Sequence, residues 1–229
     1  MKRLWTYLVF LILPIIFLVF LRGNFAFPVR GDYSDLVISH LPNAEYLRQS
    51  LLNGEIPLWS LRIFAGYPFA ANPLSGLHYP FGWLALLFPL PFGFTFVTAL
   101  HFTAAGLGMY LFLRSEGFSQ WPALAAGLVF QATPKLFAHF AAGHLTLVLV
   151  VCLTPWVLWA ERKRLTGTIL NGWKVGPGIV LALIALADPR WFPYAAILWL
   201  AYAIRSAVSL RKTKADAKFS SSAGGILVQ

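Results

Sequence analysis

Asp32 and Asp35 stand three residues apart just beyond the first apolar stretch of the chain, and no other carboxylates are so well placed for chemistry. A carboxylate in that position can accept the proton of an acceptor hydroxyl, and two together can hold a divalent cation such as Mg or Mn through hard oxygen ligands. The same spacing also suits a solvated loop start, with Asp as the turn former. His40, His78, His139 and His144 fall on the same expected side of a membrane, where they could bind phosphate or metal, or each satisfy one interfacial hydrogen bond. His101 lies within an apolar span and reads as a helix-packing hydrogen bonder. Arg62, Lys135 and Arg190 are outward cations near apolar surface. They would suit a lipid-linked phosphate, Arg in particular through its fork of donors; the alternative is snorkelling to headgroups. No Gly-rich phosphate loop, Ser/His/Asp order or zinc-ligand spacing occurs.

The elements that must position these residues are membrane elements. A mean hydropathy of +0.69 with only 11% charged residues lies outside the range of ordinary soluble domains, and the apolar residues come in long blocks. The net charge of +10 does not point to nucleic acid, because the bases cluster at the ends of apolar blocks: Lys2-Arg3, Arg114, Arg162-Lys163-Arg164, Lys174, Arg205 and Arg211 to Lys218. That is the positive-inside pattern. The single cysteine, Cys152, sits inside an apolar block, so an intrachain disulfide and a cysteine metal cluster are excluded.

The first span is Leu4–Leu21, an uncleaved signal anchor with its N-terminus in the cytoplasm, since no small-residue cleavage site follows it. Further spans are expected over Phe92–Leu113, Trp121 to about Phe137, and His144–Ala160. Val175–Ala187 and Trp191–Ile204 then form either one bent span or a hairpin turning at Asp188-Pro189-Arg190. One span would bury two charges near the bilayer centre at roughly 2.5–3.5 kcal/mol each. A hairpin avoids that, and it gives an all-α polytopic protein with about six transmembrane helices.

Between the first two spans, residues 22–91 form a long extracytoplasmic loop holding four of the eight acidic residues, Asp32, Asp35, Glu45 and Glu55. Most connections are far shorter, so the loop reads as the seat of function. Pro42–Asn53 has the punctuation of a short amphipathic interfacial helix, Ile56–Pro80 is too rich in Pro, Gly and Asn for a long helix, and Phe81–Pro89 is apolar but too short to span. Residues 205–222 are a basic cytoplasmic segment; beyond them Ala223–Gln229 looks like the start of another span, so an N-terminal piece of a longer protein is expected, 1–229 being one integral-membrane domain.

Several fixed positions in the loop carry a family resemblance. The run Asp35-(x6)-Pro42, then Leu47-Arg48-(x3)-Leu52-(x)-Gly54-(x2)-Pro57-Leu58-Trp59, then Phe64-(x)-Gly66-(x)-Pro68-(x3)-Asn72-Pro73-(x5)-Tyr79-Pro80, resembles the YfhO-like family of bacterial membrane proteins. Gly106-Leu107-Gly108-Met109-Tyr110 and Ala142-Gly143-His144 continue the likeness, which ends near Pro189. That family is placed among the GT-C type glycosyltransferases. The resemblance implies a sugar transferase of the bacterial cytoplasmic membrane, using a polyprenyl-phosphate-linked donor and a glycan, lipid or protein acceptor. It implies Asp35 as the essential acid of the first loop, with Asp32 assisting. His40, Arg62, Asn72, His78, Tyr79, Lys135, His144 and Arg190 are then the expected substrate contacts. Two positions depart from the pattern: Ser39 stands where Gln is usual, and Asp188-Pro189-Arg190 replaces a His-Pro-Gln turn. A non-catalytic protein, such as a lipid-linked glycan transporter or assembly scaffold, is the alternative.

The charge pattern gives a direct topological test. Single cysteines at Asn72 and Thr166, in a Cys152→Ala background, should differ in intact cells. Asn72→Cys should react with an impermeant thiol reagent and Thr166→Cys should not; equal labelling contradicts the six-span topology.

Overall fold

The computed structural model describes residues 4–21, 34–167 and 174–224; Asp32, Arg22 and Arg30 lie outside them. Among the described residues the fold is all-helical, with no strand and one isolated bridge between Ser60 and Tyr67. Eight α-helices follow in chain order: α1 Leu4–Leu21, α2 Leu41–Leu52, α3 Leu90–Ser115, α4 Gln120–Gln131, α5 Pro134–Ala141, α6 Leu145–Thr166, α7 Gly176–Ala187 and α8 Phe192–Gly224. Helices α3 and α6 are long and apolar enough to cross a membrane; the apolar stretch Trp5–Ile16 of α1 and helix α7 are shorter.

Helix α3 is the central post, packed against α6, α4 and α1. Val97, Phe102, Ala105, Val148, Val150 and Val157 fill the α3–α6 seam and are all but inaccessible. Lipid is as apolar as these side chains, so within a bilayer such a seam is held by close packing and small residues rather than by water exclusion. The packing of α1, α3 and α4 is as close: a methyl on Gly127 of α4 would lie 2.7 Å from the carbonyl oxygen of Gly106 on α3 and 2.8 Å from the ring of Phe10 on α1. The outward faces are equally telling. Leu8, Ile12, Ile15 and Val19 on α1, with Tyr194, Ile197, Leu200 and Ile204 on α8, are at least half exposed. A helical bundle with an apolar exterior has the surface of a protein that meets acyl chains.

The expected third span, Trp121 to Phe137, is corrected. It is two helices, α4 and α5, broken at Ala132-Thr133. Pro134 has no N–H to donate and forces Thr133 out of the helical region, to φ −56°, ψ 118°. The Asp188 turn does separate α7 from α8, as the hairpin alternative requires. Pro42–Asn53 is α2 within a residue at each end, whereas Pro80–Leu87 winds as 3-10 helix. The basic segment 205–222, expected as a polar stretch, continues α8 as helix.

One end of the bundle is tied by charge. Glu116 at the end of α3 accepts from Tyr202 Oη at 2.6 Å and pairs with Arg162 at 3.1 Å and Arg205 at 3.4 Å. Glu161, fully buried on α6, takes a bidentate pair from Arg164 and the Trp199 indole N–H at 3.1 Å. Together these carboxylates join α3, α6 and α8.

Two glycines on helices should respond oppositely to one methyl. Gly127→Ala should lower the unfolding temperature, with overpacking costing about 1–3 kcal/mol. Gly178→Ala meets nothing within 4 Å and should be neutral or stabilise by about 0.5–1 kcal/mol through helix propensity. Thermal unfolding of the two purified variants in one detergent measures both.

Candidate functional site

Asp35 is held at the entrance to an unusual turn. Ser34 Oγ accepts the Leu36 N–H at 3.2 Å, and the Ser34 carbonyl accepts the N–H groups of Val37 and Ile38. Leu36–His40 then winds as a π-helix running straight into α2, with the Leu41 N–H reaching back five residues to the Leu36 carbonyl. Pro42 explains the widening, because it has no N–H to bond the Ile38 carbonyl in the ordinary register. Such local π turns recur at functional sites.

The opposite wall is Gly143-His144, the link between α5 and α6. Gly143 has φ +88°, and a side chain on it would collide with Ser34 Oγ and crowd the backbone nitrogens of Asp35 and Leu36. Only glycine permits both the left-handed backbone and the approach. The contact brings His144 Nε2 to 3.9 Å from Asp35 Oδ2, both side chains remaining about half exposed. His144 Nδ1 is in turn 3.1 Å from His139 Nδ1. Asp35, His144 and His139 thus form a chain. One proton bridges the two imidazoles, so one ring donates through Nδ1 and the other accepts. Burial and the neighbouring His144 and Lys135 hold His139 below its ordinary range.

Behind this chain lies a buried carboxylate. Asp188 is 1% exposed and accepts from Thr146 Oγ1 at 2.9 Å, from Arg190 Nε at 2.9 Å and Nη2 at 2.7 Å, and from the Arg190 backbone N–H at 3.0 Å. Burial pushes the Asp188 carboxyl up, but the hydrogen bonds of Arg190 and Thr146 and the Arg190 charge outweigh it and hold the group below the usual carboxylate range. His40 completes the group. Burial lowers it to about 4, against the pull of Asp35, so it is neutral at physiological pH. It also lines an apolar cavity of about 60 Å³ with Tyr79, Thr146 and Leu149.

The structure therefore brings Asp35, His40, His144 and Arg190 together with His139, expected only as one of the outward histidines, and with Asp188, expected only as part of the turn; Thr146, which anchors Asp188, is a residue that sequence reasoning did not place there. The signal for His139 was its five-residue spacing from His144 across a glycine. Nothing in the sequence pairs Thr146 with Asp188. Arg190 is less free than expected of a phosphate ligand, because two of its donors are committed to Asp188, although its side chain is 60% exposed.

The remaining candidates sit elsewhere. Lys135 lies on α5, at an apolar groove of about 180 Å³ that it shares with His139, Leu136, Leu147, Val151 and Trp191. Arg62 and Asn72 line a separate groove of about 470 Å³, whose wall begins at Ile38 and Ser39. There Arg62 stacks 4.9 Å over Tyr46 and donates to Gln49 Oε1 at 2.6 Å, while Asn72 Oδ1 closes a turn on the Leu74 N–H. His78 Nε2 donates to the Ala70 carbonyl at 2.8 Å and fastens the loop to itself. Tyr79 is buried and donates to His101 Nε2 at 2.6 Å; His101 Nδ1 donates to the Val97 carbonyl at 2.7 Å, which fixes that tautomer. Tyr79 therefore docks the loop on α3, though it still lines the cavity beside His40.

Among the described residues no three His, Cys, Asp or Glu side chains converge to hold a metal ion. Asp35 and His144 face each other as a pair, and Asp32 lies outside those residues. The donor set on view does not make a cation site by itself. Comparison with protein-family models, with curated proteins and with solved structures finds no match to this chain.

The Asp188 cluster predicts a pH-dependent cost. Arg190→Gln leaves a buried carboxylate without its cation, a loss of about 3–5 kcal/mol. A carboxyl whose folded value is depressed stabilises the fold above its unfolded value, near 3.9, and that contribution disappears as pH falls through the folded value. The stability gap between wild type and Arg190→Gln should hence be widest at neutral pH and shrink below about pH 4. Chemical unfolding across that range measures it.

Proposed function

We propose that this chain is a polytopic protein of the bacterial cytoplasmic membrane that transfers a sugar from a polyprenyl-phosphate-linked donor to an acceptor on the extracytoplasmic face. The observation that carries the reading is Asp35, presented on a π turn against His144 and His139, with His139 also lining an apolar groove together with Lys135. An apolar groove with a cation on its lining suits a lipid tail joined to a phosphate, and the resemblance of the loop to the YfhO-like pattern points to the same chemistry.

In this reading the acceptor hydroxyl attacks the anomeric carbon with inversion. Asp35 takes the hydroxyl proton as the new C–O bond forms, and the lipid phosphate leaves with the electrons of the bond that breaks. Lys135 and the exposed edge of Arg190 offset the charge gathering on that phosphate. His144 orients Asp35 and can relay its proton toward His139. Neutral His40 and the Asp188–Arg190–Thr146 cluster form the rigid floor. Asp32 assists by binding the acceptor, or would hold a divalent cation together with Asp35.

The alternative is a non-catalytic lipid-linked glycan transporter or scaffold. A transporter is expected to carry ionisable groups deep in its spans. The buried carboxylates Glu161 and Asp188 instead lie at helix ends, each paired with an arginine, which favours the enzyme.

Asp35→Asn should lower sugar transfer by about 10²–10⁴-fold, and Asp32→Asn by less, in the complete protein at matched expression. Radiolabelled transfer from a polyprenyl-phosphate sugar in membranes measures both. Full transfer by Asp35→Asn removes its role as base, and no transfer by intact wild type favours the scaffold.

A further inference from the structure

At the end of the bundle remote from Asp35, helices α6, α7 and α8 leave an open cleft of about 620 Å³. Arg164 and Lys174 stand on its lining, with Pro177, Ile179, Ala182 and Trp199 as apolar wall. We propose that this cleft binds an anionic phospholipid of the phosphatidylglycerol type, its phosphate between Arg164 and Lys174 and one acyl chain along α7. The inference rests on reading α3 and α6 as membrane spans and does not depend on sugar transfer.

Three observations support it. The cleft is built, because the buried Glu161 fixes both the Arg164 guanidinium and the Trp199 indole through its two oxygens. Those side chains need no ordering when a ligand arrives. Its charge is matched to one anion: Glu161 and Arg164 cancel, and Lys174 supplies one net positive charge. Lining cations between helices on the basic side of a membrane protein are a recurring seat for anionic headgroups. Its apolar side also continues. Ile179 and Leu186, seven residues apart on one face of α7, are 56% and 47% exposed, a track of about 10 Å for a chain to lie against.

The test uses the full chain purified in a neutral detergent, titrated with dioleoyl phosphatidylglycerol, dioleoyl phosphatidylcholine or soluble glycerol 3-phosphate while thermal unfolding is followed. Phosphatidylglycerol should raise the wild-type Tm by about 2–4 °C more than phosphatidylcholine does, by mass action on the folded state. Ala182→Trp, which fills the cleft, and Lys174→Gln, which removes its net charge, should each abolish that difference while leaving the Tm in phosphatidylcholine unchanged. If Ala182→Trp alone lowers the Tm in phosphatidylcholine, Lys174→Gln decides. The proposal is overturned if wild type does not distinguish the two lipids or if the deciding variant keeps the difference. It is overturned equally if glycerol 3-phosphate reproduces the shift, since the ligand is then a small phosphate and not a lipid.

Discussion

A carboxylate taken out of water must be fully satisfied or it destabilises what surrounds it, and Asp188 is where that constraint acts at the Asp35 end of this fold. Its partners come from two places: Thr146 in the first turn of α6, and Arg190 two residues onward. Satisfying it closes the α7–α8 turn onto α6. That fixes the start of α6, hence Gly143-His144, and so the wall against which Asp35 is placed. Burial of the ion pair need not add net stability over an apolar substitute. What it does here is couple three segments far apart in sequence, so that the chain Asp35–His144–His139 has one geometry.

A second pair of carboxylates performs the same service at the opposite end. Glu116 and Glu161 gather arginines from α6 and α8 together with Tyr202 and Trp199. Between the two ends, the α3–α6 seam is apolar and closely packed, with almost no polar content beyond His101, threonines that bond back into their own helices, and the Trp156 indole bonded to the Ala104 carbonyl. Polar fastening at the ends and packing in the middle is the division of labour that a bilayer would impose on such a bundle, because hydrogen-bond partners are scarce in hydrocarbon and plentiful at its margins.

That division also explains what could be read from the residues beforehand. Helices α2, α3 and α6 follow from apolar blocks, proline and glycine punctuation and terminal arginines, all of which are local signals. The break at Asp188-Pro189-Arg190 followed from the cost of burying two charges. The break at Thr133-Pro134 was visible as a proline but was overridden by the length of the apolar run. The pairings were not legible: Thr146 with Asp188, Tyr79 with His101 and Gly143 with Asp35 are set by tertiary packing across 22 to 108 residues, and no periodicity encodes them. Of the candidate residues, those sharing a short segment or an adjoining turn converged, while Arg62, Asn72 and His78 were drawn off by the loop's internal bonding.

The imidazole pair places a further condition on Asp35. If His139 donates through Nδ1, His144 accepts there and its own proton sits on Nε2, facing the Asp35 carboxylate. If His144 is the donor, its Nε2 carries a lone pair toward Asp35, an arrangement that is comfortable only when Asp35 itself holds a proton. Passing from the first arrangement to the second moves the bridging proton from His139 to His144, and it requires one further proton to enter at His139 Nε2 as His144 Nε2 gives its own to Asp35. At 3.9 Å the Asp35–His144 contact is longer than a hydrogen bond, and an approach of under about 1 Å would close it. If Asp35 is the base of the proposed transfer, a lone loop carboxylate would have to return its proton to bulk water. On the proposed reading Asp35 has instead a neighbour that would take the proton and a second that would receive the next, so the histidine spacing across Gly143 would serve acid–base chemistry as well as the turn.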